Sequence, residues 1–255
     1  MVMIVKTIIV FMLSVLMLTA CGSDDAPNPK QHAGECVVLL HGLAWSSLAM
    51  ERMKWFLEEN VYNVANIDCP SREHKIEALA PIAVEAGLEQ CAAMNSNERI
   101  HFVTHSLGGI LVRYYFSYRD LPSLGRVVML GPPNQGSKAM DEMQSLPEFE
   151  WLNGRAGYQL GKGPESIPLQ LGPPTFEFAV IAGDESIDPV TSAILDDLDD
   201  GRVSVSDTKL AGMNDFRLVG VSHAFMMQNS EVFGLVRDFL ETGQFSSSEE
   251  STLDD

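Results

Sequence analysis

Short apolar runs alternate with longer segments of helical periodicity along most of the chain. The runs are rich in β-branched and aromatic residues, as is typical of strands buried on both faces of a parallel sheet. They occupy residues 36–42, 62–68, 100–105, 126–131, 176–183 and 216–221. Apolar residues at helical spacing predict helices over 48–59, 73–94, about 110–118 and 229–242. Because alternating strands and helices need crossover connections, we expect an α/β fold with a mostly parallel, doubly wound sheet.

The two ends of the chain do not follow this alternation. Residues 1–20 contain one charge and an apolar run shorter than the about 20 residues of a membrane span, and they predict a secretory signal. Residues 21–35 are rich in Gly, Asp, Pro and Asn and predict a flexible tether. Residues 244–255 are polar and acidic and predict a disordered tail. The folded domain is therefore expected over 36–243.

The alternation of predicted strands and helices is also interrupted inside the domain, at about residues 138–174. Prolines and glycines are mixed there with isolated Met, Leu, Phe, Trp and Tyr residues. A loop of this length in a compact domain is usually functional. We interpret it as a cap over the site, with apolar residues that line an acyl or alkyl pocket. The alternative is a surface excursion that packs its own small core.

A candidate nucleophile follows the apolar run at 100–105. The segment Thr104-His105-Ser106-Leu107-Gly108 joins this strand to a helix. A serine on such a tight turn projects its hydroxyl beyond the sheet, and the next amide points to where an oxyanion would form. A serine hydroxyl is a weak nucleophile at neutral pH, so it needs a base, and the base needs an acid that orients it.

The candidate base is His223, which comes directly after the last apolar run. It should therefore lie at the same sheet edge as Ser106, because functional sites of such sheets lie beyond the carboxyl ends of the strands. The other histidines precede the serine, lie in the tether or start a strand at the opposite edge. The acid is open at this point among several carboxylates between residues 184 and 200.

Several of these motifs resemble the α/β-hydrolase superfamily, in its lipase and esterase branch. The Ser106 turn resembles the G-x-S-x-G signature, with Thr104 in place of the first glycine. The triplet His41-Gly42-Leu43 at the end of the first strand resembles the His-Gly-X of lipases. This resemblance implies that the amides of Leu43 and Leu107 form the oxyanion hole.

The resemblance also selects an acid. Asp200-Gly201, followed by alternating apolar residues, resembles the lipase segment that presents the catalytic carboxylate. The resemblance therefore implies that Asp200 is the partner of His223. Asp184 and Asp188 are the alternative candidates for the acid. The resemblance covers residues 36–243 and implies hydrolysis of acyl esters through an acyl-enzyme, without a metal or organic cofactor.

A second resemblance concerns the end of the predicted signal. Leu18-Thr19-Ala20-Cys21 resembles the bacterial lipobox, in which the cysteine is lipidated and becomes the mature amino terminus. It implies an exported lipoprotein that is anchored to a bacterial membrane and faces the periplasm. Gly22, rather than aspartate, after Cys21 favours the outer membrane. An uncleaved signal anchor or a plain secreted protein is the alternative.

Export would leave the other three cysteines in an oxidising compartment, where thiols tend to pair. Cys36 opens one central strand, and Cys91 ends a helix just before the neighbouring strand begins. Both should lie at the amino-terminal edge of the sheet, whereas Cys69 follows a strand and should lie at the opposite edge. We therefore predict a Cys36–Cys91 disulfide and a free Cys69.

The net charge and the length of the chain limit the classes of ligand and partner that we expect. The 255 residues have a formal charge of -18 and 45% hydrophobic content, which fits one domain and argues against nucleic acid. We expect a monomer that acts on a small acyl ester or lipid. The alternatives are an acyltransferase or thioesterase with the same triad, and a catalytically silent lipoprotein that binds a partner.

Overall fold

The computed structural model describes residue 32 and residues 34–96, 98–195 and 197–246. The predicted signal, Cys21, nearly all of the tether and the tail beyond residue 246 lie outside these residues. Within the described ranges, no helix has the length and apolar character that a bilayer span requires.

Over the described residues, six parallel strands form one sheet in the order β2-β1-β3-β4-β5-β6. The strands are β1 (Cys36–Leu40), β2 (Asn63–Ile67), β3 (Ile100–His105), β4 (Leu124–Leu130), β5 (Phe178–Gly183) and β6 (Asp215–Val219). The helices are α1 (Glu51–Glu59), α2 (Ile76–Ala93), α3 (Leu107–Phe116), α4 (Lys138–Met143), α5 (Phe149–Gly157), α6 (Ile167–Gln170), α7 (Pro189–Ser192), α8 (Val205–Thr208) and α9 (Ser230–Thr242). This confirms the predicted α/β class.

Both faces of the sheet are covered, which explains the continuous apolar runs. In β1, Val38 and Leu40 belong to the core beneath α2 and α3, whereas Val37 and Leu39 belong to the core beneath α1 and α9. Every β1 residue is buried. The sheet is therefore doubly wound, as predicted.

The strand order reverses direction between β1 and β3. The chain passes from β1 to β2 on one side and then returns to β3 on the other side of β1. In open α/β sheets, ligands bind beyond the carboxyl ends of the strands at such a switch point. Leu40 of β1 pairs with Thr104 of β3, so the segments that follow these two residues lie side by side.

The segment 138–174 contains three short helices, α4, α5 and α6. Phe149, Leu160 and Ile167 are buried in the main core beneath α2 and α3. Trp151 and Leu146 are instead exposed. The segment is thus attached to the domain by its own apolar residues, while others face outward.

Both ends of the described chain pack at the amino-terminal edge of the sheet. His32, which the sequence places in the tether, is buried, stacks on Tyr62 and lies 2.8 Å from the Glu35 carboxylate. Phe245, which the sequence places in the tail, is also buried, and its amide donates to Asp215. The packed domain therefore extends a few residues beyond its predicted boundaries at each end.

Cys36 and Cys91 form a disulfide at this same edge, with their Cα atoms 5.8 Å apart. Cys69 is a free, buried cysteine. Burial raises the pKa of the Cys69 thiol to about 12, so it remains protonated at neutral pH. The structure therefore has the predicted pairing.

Candidate active site

Ser106 occupies the turn between β3 and α3 in a strained backbone conformation. Its φ of 51° and ψ of -117° are unusual for a residue with a side chain, and such strain costs about 1–3 kcal/mol. The Ser106 amide donates to the carbonyl of Leu130, 2.9 Å away. A Cβ added at Gly108 would lie only 2.6 Å from the Leu40 carbonyl oxygen. Glycine there lets α3 approach β1 closely and so keeps the turn tight.

Asp200 and His223 form a buried pair beside this turn. His223 Nδ1 donates to Asp200 Oδ2 over 2.7 Å. Asp200 Oδ1 accepts from the amides of Arg202 and Val203, and the His223 amide donates to the Asp200 carbonyl over 2.8 Å. These contacts fix both the carboxylate and the imidazole. Nε2 of His223 makes no hydrogen bond with Ser106 or any other described residue.

The contacts in the structure distinguish Asp200 from the two alternative acids, Asp184 and Asp188. Asp188 instead accepts from the amides of Val190 and Thr191 at the start of α7 and pairs with Arg202. Its hydrogen bonds with Thr191 lower the pKa of Asp188 below the ordinary value. Among the described residues, Asp184 makes only a backbone hydrogen bond, from its amide to the Val219 carbonyl. Of the three carboxylates, only Asp200 contacts His223.

Gly131, directly after β4, makes room for the Asp200–His223 pair. A Cβ at this position would lie 2.9 Å from Asp200 Oδ2 and 3.1 Å from His223 Nδ1. Its φ of +52° also lies in the left-handed region that favours glycine. The sequence marks Gly131 only as the end of an apolar run, because nothing near it in sequence indicates these contacts.

The two candidate oxyanion donors follow β1 and Ser106. The amides of Leu43 and Leu107 donate to no other described residue. Leu107 begins α3, where the helix dipole favours negative charge. His41 supports the Leu43 loop, since its Nδ1 donates to the Gly42 carbonyl over 2.8 Å and its Nε2 accepts from the Cys69 amide over 3.1 Å.

This contact of His41 sets the direction of the next amide. In a trans peptide, the carbonyl of one residue and the N–H of the next point in opposite directions. Because the Gly42 carbonyl points toward His41, the Leu43 N–H points away from it. The His-Gly pair is recognisable in the sequence, but this role of His41 is not, because its second partner, Cys69, is 28 positions away.

A cavity of about 310 Å³ opens beside Ser106 and His223. Its walls combine the loops after β1, β3 and β4 with residues of the segment 138–174. Most side chains that line it are apolar: Leu43, Ala44, Trp45, Pro133, Met140, Met143, Leu152, Leu160 and Val203. Among the described residues, no carboxylate lines the cavity, and Arg202 is the one fully charged side chain in its lining. The cavity is suited to a mostly apolar ligand.

Arg113 ties the segment 138–174 to the helix that follows Ser106. It is 3% exposed, and its guanidinium donates to the side chain and carbonyl of Asn134 and to the carbonyls of Pro168 and Leu171. Burial lowers the pKa of Arg113 to about 10, so it is still charged at neutral pH. The Arg113 guanidinium thus holds the carboxyl-terminal part of segment 138–174 by donating hydrogen bonds to uncharged acceptors.

Within the described ranges, no three His, Cys, Asp or Glu side chains lie close enough together to hold a metal ion. The groups around the cavity are instead a hydroxyl, an imidazole–carboxylate pair and two backbone amides. This set of groups can perform acid–base and nucleophilic chemistry.

A parallel sheet with its site over the β1–β3 switch point is the arrangement of the α/β-hydrolase fold. A model of the alpha/beta hydrolase family matches residues 37–233, and the chain belongs to this family. No curated protein sequence matches the chain significantly.

Solved structures with the same fold include lipases and esterases. The mature lipase BlEst2 from Bacillus licheniformis has a TM-score of 0.70 and 20% identity, and the match covers 85% of this chain and 94% of that one. Phospholipase PlaB from Legionella pneumophila, in complex with thio-NAD, has a TM-score of 0.61 and 17% identity over 74% of this chain and 52% of that one. The metagenomic carboxyl esterase MGS0156 has a TM-score of 0.59 and 21% identity over 75% of this chain and 65% of that one. At these identities the likeness establishes the fold.

Proposed function

We propose that this protein is a serine hydrolase that cleaves carboxylic acyl esters through an acyl-enzyme. The observation that carries the proposal is the buried Asp200–His223 pair beside the strained Ser106 on one apolar cavity. The same three residue types, in the same chain order, perform acyl transfer in α/β-hydrolases. The lipase and esterase structures of the same fold support this choice of reaction.

In the first half of the reaction, Ser106 Oγ attacks the ester carbonyl as His223 Nε2 takes its proton. Asp200 holds the imidazole in the required tautomer and stabilises its cation. The amides of Leu43 and Leu107 donate to the oxyanion. The tetrahedral intermediate then expels the alcohol, which leaves with the proton from His223, and the acyl group stays on Ser106.

In the second half, His223 takes a proton from water, and the resulting nucleophile attacks the acyl-enzyme. Collapse of the second tetrahedral intermediate returns the proton to Ser106 and releases the acid. No step requires a metal or an organic cofactor. The apolar walls and the volume of about 310 Å³, near the small end of ligand pockets, favour a short or medium acyl chain.

The decisive experiment compares Ser106→Ala with the matched substitution Ser117→Ala. Ser117 follows the far end of α3, where its hydroxyl donates only to the Tyr114 carbonyl. We expect Ser106→Ala to abolish turnover of p-nitrophenyl esters and labelling by a fluorophosphonate probe, and Ser117→Ala to retain both. Full activity of folded Ser106→Ala protein would refute the mechanism.

Two other functions remain as outcomes of related measurements. Ester products formed with added alcohols in excess of the free acid would identify an acyltransferase on the same triad. If folded wild-type protein neither reacts with the probe nor turns over esters of any chain length, the result would favour a catalytically silent binding protein.

We further propose that the protein is exported and lipid-anchored through Cys21. This proposal is supported by the apolar run and the Leu18-Thr19-Ala20-Cys21 sequence. Wild-type protein expressed in a bacterium should incorporate labelled palmitate, and Cys21→Ser should abolish the label. Label retained in Cys21→Ser would contradict the proposal.

A further inference from the structure

A second histidine, His105, lies beneath the site and takes no part in the steps above. It is the last residue of β3, next to Ser106, and it is fully buried. Its Nε2 lies 3.0 Å from the carbonyl oxygen of His223, and the centroids of the two rings are 4.6 Å apart. Since a carbonyl oxygen only accepts hydrogen bonds, Nε2 of His105 bears the proton and donates.

The other nitrogen of His105 is therefore unprotonated. This Nδ1 is buried and has no hydrogen-bond partner among the described residues. It faces the loop after β1, because a Cβ added at Gly42 would lie 2.7 Å from it. Burial, and secondarily the neighbouring His223, lower the pKa of His105 well below its ordinary value. The ring is thus neutral at neutral pH.

This arrangement joins the three parts of the candidate site. His105 is covalently linked to Ser106, hydrogen-bonded to the His223 backbone and packed against Gly42 of the loop that presents Leu43. The amide of His223 is held by the Asp200 carbonyl, and its carbonyl is held by His105. The backbone of His223 is therefore fixed on both sides of its Cα.

We propose that His105 is a positioning residue, whose Nε2–H holds the His223 carbonyl so that the imidazole of His223 stays aligned between Asp200 and Ser106 during acyl transfer. The inference rests on the proposed hydrolase function. A neutral ring suits this role, because a second cation so close would oppose the positive charge that His223 acquires when it takes the proton of Ser106.

The test compares two substitutions of His105, one that can still donate a hydrogen bond to the His223 carbonyl and one that cannot. His105→Gln retains an N–H donor near the position of Nε2, whereas His105→Met fills a similar volume without a donor. We expect His105→Met to lower kcat by about 10- to 100-fold with KM changed less than about twofold, since a misplacement of about 1 Å can cost about 100-fold. His105→Gln should retain kcat within about threefold of wild type, since the donor remains.

The same substitution in His223→Ala protein distinguishes loss of the positioning role of His105 from a general loss of structure. In His223→Ala protein the imidazole that His105 positions is gone, so adding His105→Met should not lower the residual turnover further. If His105→Met does not fold, His105→Asn replaces it, because its shorter amide does not reach the His223 carbonyl. Unfolding midpoints of all variants are measured in parallel.

Three results would overturn the inference: wild-type kcat in a variant without the donor, equal losses in the Gln and Met variants, or a further loss in the His223→Ala background. These results are distinct from failure of the proposed function. If turnover survives Ser106→Ala, the function is wrong. If turnover requires Ser106 but not the His105 donor, only the positioning role is wrong.

Discussion

The role of Gly131 can be tested by adding one methyl group to it. In Gly131→Ala, the new Cβ would lie 2.9 Å from Asp200 Oδ2, 3.0 Å from Met226 Sδ and 3.1 Å from His223 Nδ1. Ordinary contacts begin at 3.4 Å, so the Asp200 carboxylate would have to move by 3.4 minus 2.9, or about 0.5 Å. The substitution therefore acts directly on the pair that orients the base.

The expected loss of activity follows from this displacement. A misplacement of about 1 Å can cost about 100-fold in rate, so about 0.5 Å predicts a loss of about tenfold in kcat. The left-handed backbone adds about 1–2 kcal/mol of strain, and the lower entropy of the unfolded alanine chain offsets about 0.4–1 kcal/mol of it. The net destabilisation from the backbone is about 1 kcal/mol, or about 2–4 °C in Tm.

Gly212→Ala is the matched control. Gly212 also has a positive φ, +84°, but the nearest atom to its added Cβ is 4.0 Å away. It should therefore lose a similar amount of stability to backbone strain without losing turnover of p-nitrophenyl esters. Wild-type kcat in Gly131→Ala, or an equal loss of kcat in Gly212→Ala, would refute the assignment of Gly131 to the site.

Two further predictions concern the amino-terminal edge of the sheet. Reducing the Cys36–Cys91 disulfide, which closes a loop of 55 residues, should lower the free energy of unfolding by about 4 kcal/mol. Urea unfolding with and without reductant measures this loss, and an equal effect of reductant on a Cys36→Ala/Cys91→Ala double variant would contradict it. The pKa of Glu35 is lowered from 4.5 to about 2, first by His101 and then by His32, against the effect of burial. Because the charged form is favoured on folding, Glu35 stabilises the protein above about pH 4.5, and this contribution is lost as pH falls toward about 2. Urea unfolding should therefore show a shallower loss of stability below pH 4.5 in Glu35→Gln, and parallel curves for the two proteins would exclude this role.

Local sequence patterns were sufficient to predict the fold and to single out Ser106 and His223. The continuous apolar run at Cys36–Leu40 predicts a strand covered on both faces, and the structure confirms it. The turn at Ser106 was recognisable because its strand, serine and glycines are adjacent in sequence. Asp200 was separable from the other acids only through a resemblance, because a run of carboxylates carries no signal for which one is buried.

Contacts between distant positions explain what the sequence did not predict. His105 meets His223 across 118 positions, and His41 meets Cys69 across 28, so neither pair produces a periodic pattern. His32 follows a stretch of tether-like composition, yet it is buried because it stacks on Tyr62, which directly precedes β2. The helices of segment 138–174 were hidden by the prolines that lie mostly between them and by their length, which is too short for a clear periodicity.

The packing of His32 and Phe245 has a practical consequence. Both residues lie at the amino ends of the strands, whereas the cavity opens beyond the carboxyl ends. A linker to a solid support or a fusion partner that follows Phe245 would reach the domain from the side remote from the cavity. Immobilised protein should therefore keep an unobstructed entrance for its substrate.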